Sequence, residues 1–78
     1  MATSRSDIVE WFQEGLKQGA THLLVVCDTF DHEDFPKYVM PGEDPHAVKL
    51  GEMSRLMEVY NLRKPMMKQL NEYRSFNY

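Results

Sequence analysis

The chain has 78 residues, of which 42% are hydrophobic and 27% charged, and twelve acidic residues outnumber nine Lys and Arg for a net charge of −3. This length predicts one small domain over residues 1–78, with a small hydrophobic core. A single cysteine excludes an internal disulfide, and no apolar run approaches the roughly 20 residues of a membrane-spanning helix.

The first predicted element is a helix over residues 7–18. Apolar residues recur there at the spacing of one helix face: Ile8, Val9, Trp11, Phe12 and Leu16. Ser4 or Ser6 is suited to capping its start, and Gly19 is suited to ending it in a left-handed conformation.

Two strands are predicted next, over residues 21–30 and 35–40, joined by a polar loop. Pairing Phe30 with Phe35 gives a hairpin whose other facing residues also match in character: Asp28 with Lys37, Cys27 with Tyr38, Val26 with Val39 and Val25 with Met40. Both faces of this hairpin are apolar. We therefore expect helices or a second copy of the chain to cover it, and we predict a homodimer.

The second half is predicted to be helical. Asp44 and Pro45 form a helix start, and a helix ending near residue 61 would align an apolar stripe of Leu50, Met53, Met57 and Tyr60. Pro65 restarts a helix whose stripe continues through Met66, Leu70, Tyr73 and Asn77. The predicted fold class is therefore α+β, in the order helix, two-stranded antiparallel hairpin, two helices (αββαα), with dimerisation as a means of completing it.

The charge is unevenly distributed. Residues 28–44 carry six acids and one base, net −5, whereas residues 45–78 carry three acids and six bases, net +3. A surface that combines charge with aromatic anchors gains association rate from the first and affinity from the second. We therefore predict a protein-binding site at the acidic hairpin, made of Phe30, Asp31, Glu33, Asp34 and Phe35; the alternative is a solvated acidic turn.

The same segment offers a second interpretation, a metal or small-ligand site. Asp28, Asp31 and His32 supply oxygen and imidazole donors for a divalent cation, and an oligomer would add basic residues suited to a nucleotide. No calcium-loop motif or paired cysteines accompany these residues. We therefore predict no cofactor and keep this interpretation as the alternative.

Catalysis and nucleic-acid binding are disfavoured. Cys27 could act with His22, His32 or His46, but a cysteine after Leu-Leu-Val-Val is typical of an inert core thiol. Basic residues that could contact phosphates, with two tyrosines near them, are Arg55, Arg63, Lys64, Lys68, Arg74, Tyr60 and Tyr73. The net acidic charge argues against nucleic acid as the main partner.

Two parts of the chain resemble a family of small uncharacterised proteins of bacteriophages and bacteria. The family's pattern is Cys-Asp-Thr-Phe-Asp, then Glu-Asp-aromatic-Pro and Tyr-Val, which residues 27–31, 33–36 and 38–39 carry. Residues 57–62 and 69–78 are similar to the family's second half. The resemblance implies an accessory protein inside a bacterial host cell, and it implies no activity.

These observations lead to one functional prediction. We expect a non-enzymatic, cytoplasmic interaction protein that binds a protein of the bacterial host through the acidic hairpin. Neither a membrane nor a nucleic acid is expected as partner. The residues after Met1 are polar and charged, unlike the apolar segment of a secretory signal.

Overall fold

A computed structural model describes residues 4–72 and 74–78. These residues form a helix, three strands and a short second helix: α1 (Arg5–Gln18), β1 (His22–Asp28), β2 (Glu33–Val39), β3 (Ser54–Asn61) and α2 (Met66–Leu70), with one 3-10 turn (Pro45–Ala47) before β3. The strands make one antiparallel sheet in the order β2-β1-β3. The α+β class is confirmed, whereas the predicted two strands and three helices (αββαα) are replaced by three strands, one long helix and one short helix.

Helix α1 forms where its sequence predicts it. The Ser4 hydroxyl accepts a hydrogen bond from the amide of Asp7, and Gly19 ends the helix in the left-handed conformation at φ 78°. Ile8 and Phe12 are buried against the sheet. A Cβ on Gly15 would lie 2.8 Å from Leu62 Cδ1 and 2.9 Å from Tyr38 Cε1, so this glycine lets the helix approach the sheet closely.

The hairpin is confirmed but its register is not the predicted one. Asp28 faces Glu33 and Val26 faces Phe35, so Phe30 is not paired with Phe35. The loop comprises residues 29–32, two positions earlier than expected. The side-chain oxygen Asp28 Oδ1 accepts from the Phe30 amide, and His32 takes a left-handed conformation at φ 58°. These turn interactions close the hairpin before the two aromatic residues could face each other.

The largest correction concerns the predicted helix over residues 45–61. Asp44 does cap a start, accepting from the His46 amide, but only a single 3-10 turn follows. Residues 54–61 instead form β3, which pairs with β1 through a register shift opposite Val25 and Val26. The open edge of β1 gains a ladder of backbone hydrogen bonds on either side of this shift, and that tertiary gain overrides the helical spacing of the apolar residues.

Both faces of β1 are covered within one chain. Leu23 and Val25 pack under α1, while Leu24 and Val26 lie on the opposite face under the segment that precedes β3. All of them are at most 1% exposed. The predicted division of the hairpin into two apolar faces is therefore confirmed, and covering it requires no second copy. Homodimerisation stays a prediction.

The end of the chain follows a different course from the predicted helical stripe. The restart after Pro65 is confirmed, but α2 ends at Leu70. Tyr73 lies outside the described residues. Residues 75–77 run beside β3, with a parallel bridge between Phe76 and Val59, so Asn77 is not helical.

Candidate functional site

The hairpin tip is a defined turn that holds one large apolar side chain in solvent. The Asp28 carbonyl accepts from the His32 amide at 2.6 Å, and Asp28 Oδ1 accepts from the Phe30 amide at 2.9 Å. Phe30 is 76% exposed at the apex. Both the carbonyl oxygen and the side chain of Asp28 accept hydrogen bonds within the turn, and this backbone conformation places Phe30 at the exposed apex.

A second loop is attached to this tip. The amide and the hydroxyl of Thr29 both donate to the carbonyl oxygen of Met53, at 2.7 and 2.9 Å. Met53 is 52% exposed, so a second apolar side chain lies at the same end of the sheet as Phe30. Sequence reasoning missed Met53, which it assigned to a buried helical stripe. The sequence signal for it was the glycine two residues earlier, a residue typical of turns.

The predicted binding residues do not all share one face. Asp31 lies in the loop, and Glu33 and Asp34 begin β2. Successive side chains of a strand point to opposite faces, so Glu33 and Phe35 lie on one side and Asp34 on the other. Phe35 is 40% exposed. The structure therefore brings Phe30, Asp31, Glu33 and Phe35 to one end of the sheet and turns Asp34 toward Cys27.

Cys27 has the character of an unreactive thiol. Asp34 faces it across the β1–β2 pair. Partial burial, and then the hydrogen bond and negative charge of Asp34, raise the pKa of the Cys27 thiol above its ordinary value. A raised pKa lowers the thiolate fraction at neutral pH, and the thiolate is the nucleophilic form. The environment of Cys27 is therefore the opposite of the one that activates a catalytic cysteine.

Two of the three predicted metal donors, Asp28 and His32, take part in the hairpin turn, and Asp31 is exposed in the loop. Asp28 uses its carboxylate to accept from the Phe30 amide, and His32 completes the turn. Within residues 4–72 and 74–78, no three His, Cys, Asp or Glu side chains are grouped so as to hold a metal ion. The structure gives Asp28 and His32 a structural role at the tip.

The basic residues of the second half lie largely in solvent. Arg63, Lys64 and Lys68 are exposed around α2, whereas Tyr60 is 2% exposed in the core. Burial and the neighbouring Glu58 raise the pKa of Tyr60 to about 12. A buried, neutral tyrosine cannot stack on a base, so the aromatic part of the nucleic-acid interpretation fails at this residue.

Sequence reasoning also missed a buried polar network behind β3. Its members are His22, Asn61, Gln69 and Ser75, all at most 4% exposed. In the described part of the chain, every buried side-chain polar atom has a hydrogen-bond partner. These residues are separated by up to 53 positions, so no local pattern reveals the network.

No protein-family model matches this chain, and no curated protein or solved structure is similar to it at a significant level. The resemblance to small phage and bacterial proteins therefore stays a prediction. Among the described residues, no helix is both long and apolar enough to cross a membrane.

Proposed function

We propose that this chain is a non-enzymatic interaction protein that binds a basic surface of another protein through its hairpin tip. The observation that supports this best is Phe30, an aromatic side chain 76% exposed at the apex of a hydrogen-bonded turn. Exposed Met53 and Phe35 extend the apolar contact area. Aromatic residues that become buried on association contribute a large share of the binding energy of an interface.

The charge around these apolar residues selects the kind of partner. Asp31 and Glu33 are exposed beside Phe30, within the segment of net charge −5. Such a field accelerates encounters with a positively charged surface and disfavours acidic ones. The partner is therefore a protein with a basic rim and an apolar pocket. The resemblance to phage proteins makes a bacterial host protein the expected source.

Preorganisation favours binding at this tip. Asp28 closes the turn, and Thr29 fastens it to the Met53 loop by two hydrogen bonds. A partner that binds the tip loses little affinity to ordering it, because the backbone is already fixed. The metal-binding alternative gains no such support from the described residues, where Asp28 is engaged by the Phe30 amide.

The test compares two double variants with reversed charges. Mass spectrometry quantifies which proteins of a bacterial lysate each variant retains. Asp31→Lys with Glu33→Lys alters the tip, and Glu10→Lys with Glu14→Lys makes the same charge change on the exposed side of α1. We expect at least one protein retained by the wild type and by the α1 double to drop about tenfold with the tip double, as losing charge pairs of about 1.4 kcal/mol in total would give.

A second pair of variants tests the apolar contact. Phe30→Ala is compared with Leu16→Ala, since Leu16 is also exposed (52%) but lies on α1. Phe30→Ala should weaken the binding of the same retained protein, and Leu16→Ala should leave that binding unchanged. If every retained protein binds the tip variants as well as it binds the two α1 controls, the proposed binding site is wrong.

A further inference from the structure

Residues 75–78 lie along the outer edge of β3 as an added strand. The Val59 amide donates to the Ser75 carbonyl at 2.7 Å, and the Asn77 amide donates to the Val59 carbonyl at 2.9 Å. Phe76 and Val59 form the parallel bridge between them. This main-chain pairing at a sheet edge is the arrangement by which many proteins bind an extended peptide.

Two buried donors converge on the far end of this segment. His22 Nε2 lies 2.9 Å from the main-chain oxygen of Tyr78, and Asn61 Nδ2 donates to the same oxygen at 3.2 Å. Because that oxygen can only accept, Nε2 of His22 carries the proton. The Tyr78 ring stacks on His46, with ring centres 3.8 Å apart. His22 and Asn61 therefore hold the main chain of Tyr78, and His46 holds its ring.

The near end of the segment is recognised as specifically. The Ser75 amide donates to Glu58 Oε2 at 3.2 Å, and the Ser75 hydroxyl donates to the carbonyl oxygen of Gln69. Ser75 is fully buried, whereas Phe76 is 46% and Tyr78 38% exposed. Polar and main-chain contacts therefore hold the segment more than apolar burial does, which is typical of a unit that opens locally below the free energy of global unfolding.

We propose that the β3 edge at Val59, together with His22 and Asn61, is a strand-addition site that residues 75–78 fill in their own chain and that the same residues of a second copy fill by exchange. A second copy carries an identical segment, which would remake every contact described above. The tethered segment competes at high effective concentration, so exchange is seen when it is weakened. This site is separate from the hairpin tip, so a negative result for one proposal leaves the other unaffected.

The test uses the full chain carrying Asn77→Pro and a fluorescent synthetic peptide with the sequence of residues 72–78. Proline removes the amide that donates to Val59 and so weakens the tethered segment without altering the site. The peptide should bind the Asn77→Pro chain up to about fivefold more tightly than the wild-type chain, because the lost hydrogen bond weakens the tethered competitor by that factor. A peptide carrying the same Asn77→Pro change should bind the variant chain about fivefold more weakly, and a scrambled peptide should not bind.

Two results would overturn the proposal. One is a folded Asn77→Pro chain, with a wild-type circular dichroism spectrum, that fails to bind the peptide or binds the scrambled one equally. The other comes from hydrogen exchange of the wild type, which needs no variant to fold. We expect the Asn77 and Val59 amides to exchange at least about tenfold faster than the slowest amides of β1. Equal rates would mean that the segment leaves only with global unfolding.

Discussion

Gln69 provides a sharp test of how the end of β3 is held. Its Oε1 accepts from the Asn61 amide at 2.7 Å, and its Nε2 donates to the carbonyl oxygens of Asn61, Pro65 and Lys64 at 2.9, 3.1 and 3.3 Å. The side-chain amide thus pairs with both backbone groups of Asn61, as a neighbouring strand would. Gln69 itself is 2% exposed, so water cannot replace these bonds.

The substitution Gln69→Glu preserves the shape of the side chain, removes its N–H donors and introduces a carboxylate. At neutral pH the introduced carboxylate still accepts from the Asn61 amide, but its second oxygen faces three carbonyl oxygens that lose the Gln69 donor, of which the Asn61 carbonyl keeps the Lys64 amide at 3.2 Å. Each hydrogen bond lost at these carbonyls costs about 0.5–1.5 kcal/mol, and the buried charge that faces them adds to this. We expect the free energy of unfolding to fall by about 3–5 kcal/mol, a large part of the roughly 4–12 kcal/mol available to a domain of this size.

The pH dependence distinguishes lost donors from a general packing defect. Protonation of the introduced carboxyl restores a donor, so its pKa in the folded state is raised above the ordinary value. Stability relative to the wild type is then retained at low pH and falls as the pH rises through that folded-state pKa. Urea unfolding followed by Trp11 fluorescence at pH 4 and pH 7.5 measures both terms. Gln13→Glu, on the exposed side of α1, is the matched control and should change stability by less than about 0.5 kcal/mol.

The result that would refute this reasoning is a Gln69→Glu penalty below about 1 kcal/mol at neutral pH, or one that does not shrink at low pH. Either would mean that the hydrogen bonds of Gln69 do not hold the end of β3.

Three further predictions concern the core and the titrating groups. Gly15→Ala should lower stability by about 1–2 kcal/mol, because its Cβ would lie under 3 Å from two side chains and overpacking exceeds the gain in helix propensity. Gly51→Ala is the control, since its Cβ would meet only Ser54 Oγ at 3.6 Å. Equal effects of the two substitutions in thermal melts would contradict the close packing at Gly15. Burial first, and then Glu58, raise the pKa of Tyr60 from its ordinary value of 10 to about 12. Between pH 10 and pH 12 the stability of the wild type should therefore decline with rising pH by on the order of 2 kcal/mol more than that of Tyr60→Phe. Parallel curves of stability against pH in urea titrations would contradict this prediction. Cys27 should react with iodoacetamide more slowly in the folded chain than in urea at pH 8, because its pKa is raised by burial and by Asp34; a faster reaction in the folded chain would contradict this.

The sequence predicted those parts of the fold whose determinants are local. Helix α1 carries its own apolar face, its capping Ser4 and its terminating Gly19 within one short segment. The alternation of β1 predicted which residues lie on each face, because that depends only on the two-residue period of a strand. Neither prediction required knowledge of distant residues.

The failures come from interactions between distant residues. Leu50, Met53, Met57 and Tyr60 fit a helical period, yet the open edge of β1 recruits residues 54–61 as a strand. Helical spacing and a bulged strand can share the same apolar positions, and only the partner decides between them. The polar network that holds residues 75–78 depends in the same way on side chains far apart along the chain.

The candidate binding site shows how one turn determines both register and surface. The predicted pairing would have placed Phe30 within the sheet, opposite Phe35, and left a wholly polar loop at the tip. Because Asp28 closes the turn earlier, Phe30 moves from the strand to the apex, and Asp34 moves from the loop into β2 beside Cys27. The apolar anchor of the proposed interface is thus a product of the turn chemistry of Asp28. A tip of the same charge without that turn would offer a partner electrostatic attraction but no aromatic group to bury, and long-range attraction raises association rate more than affinity.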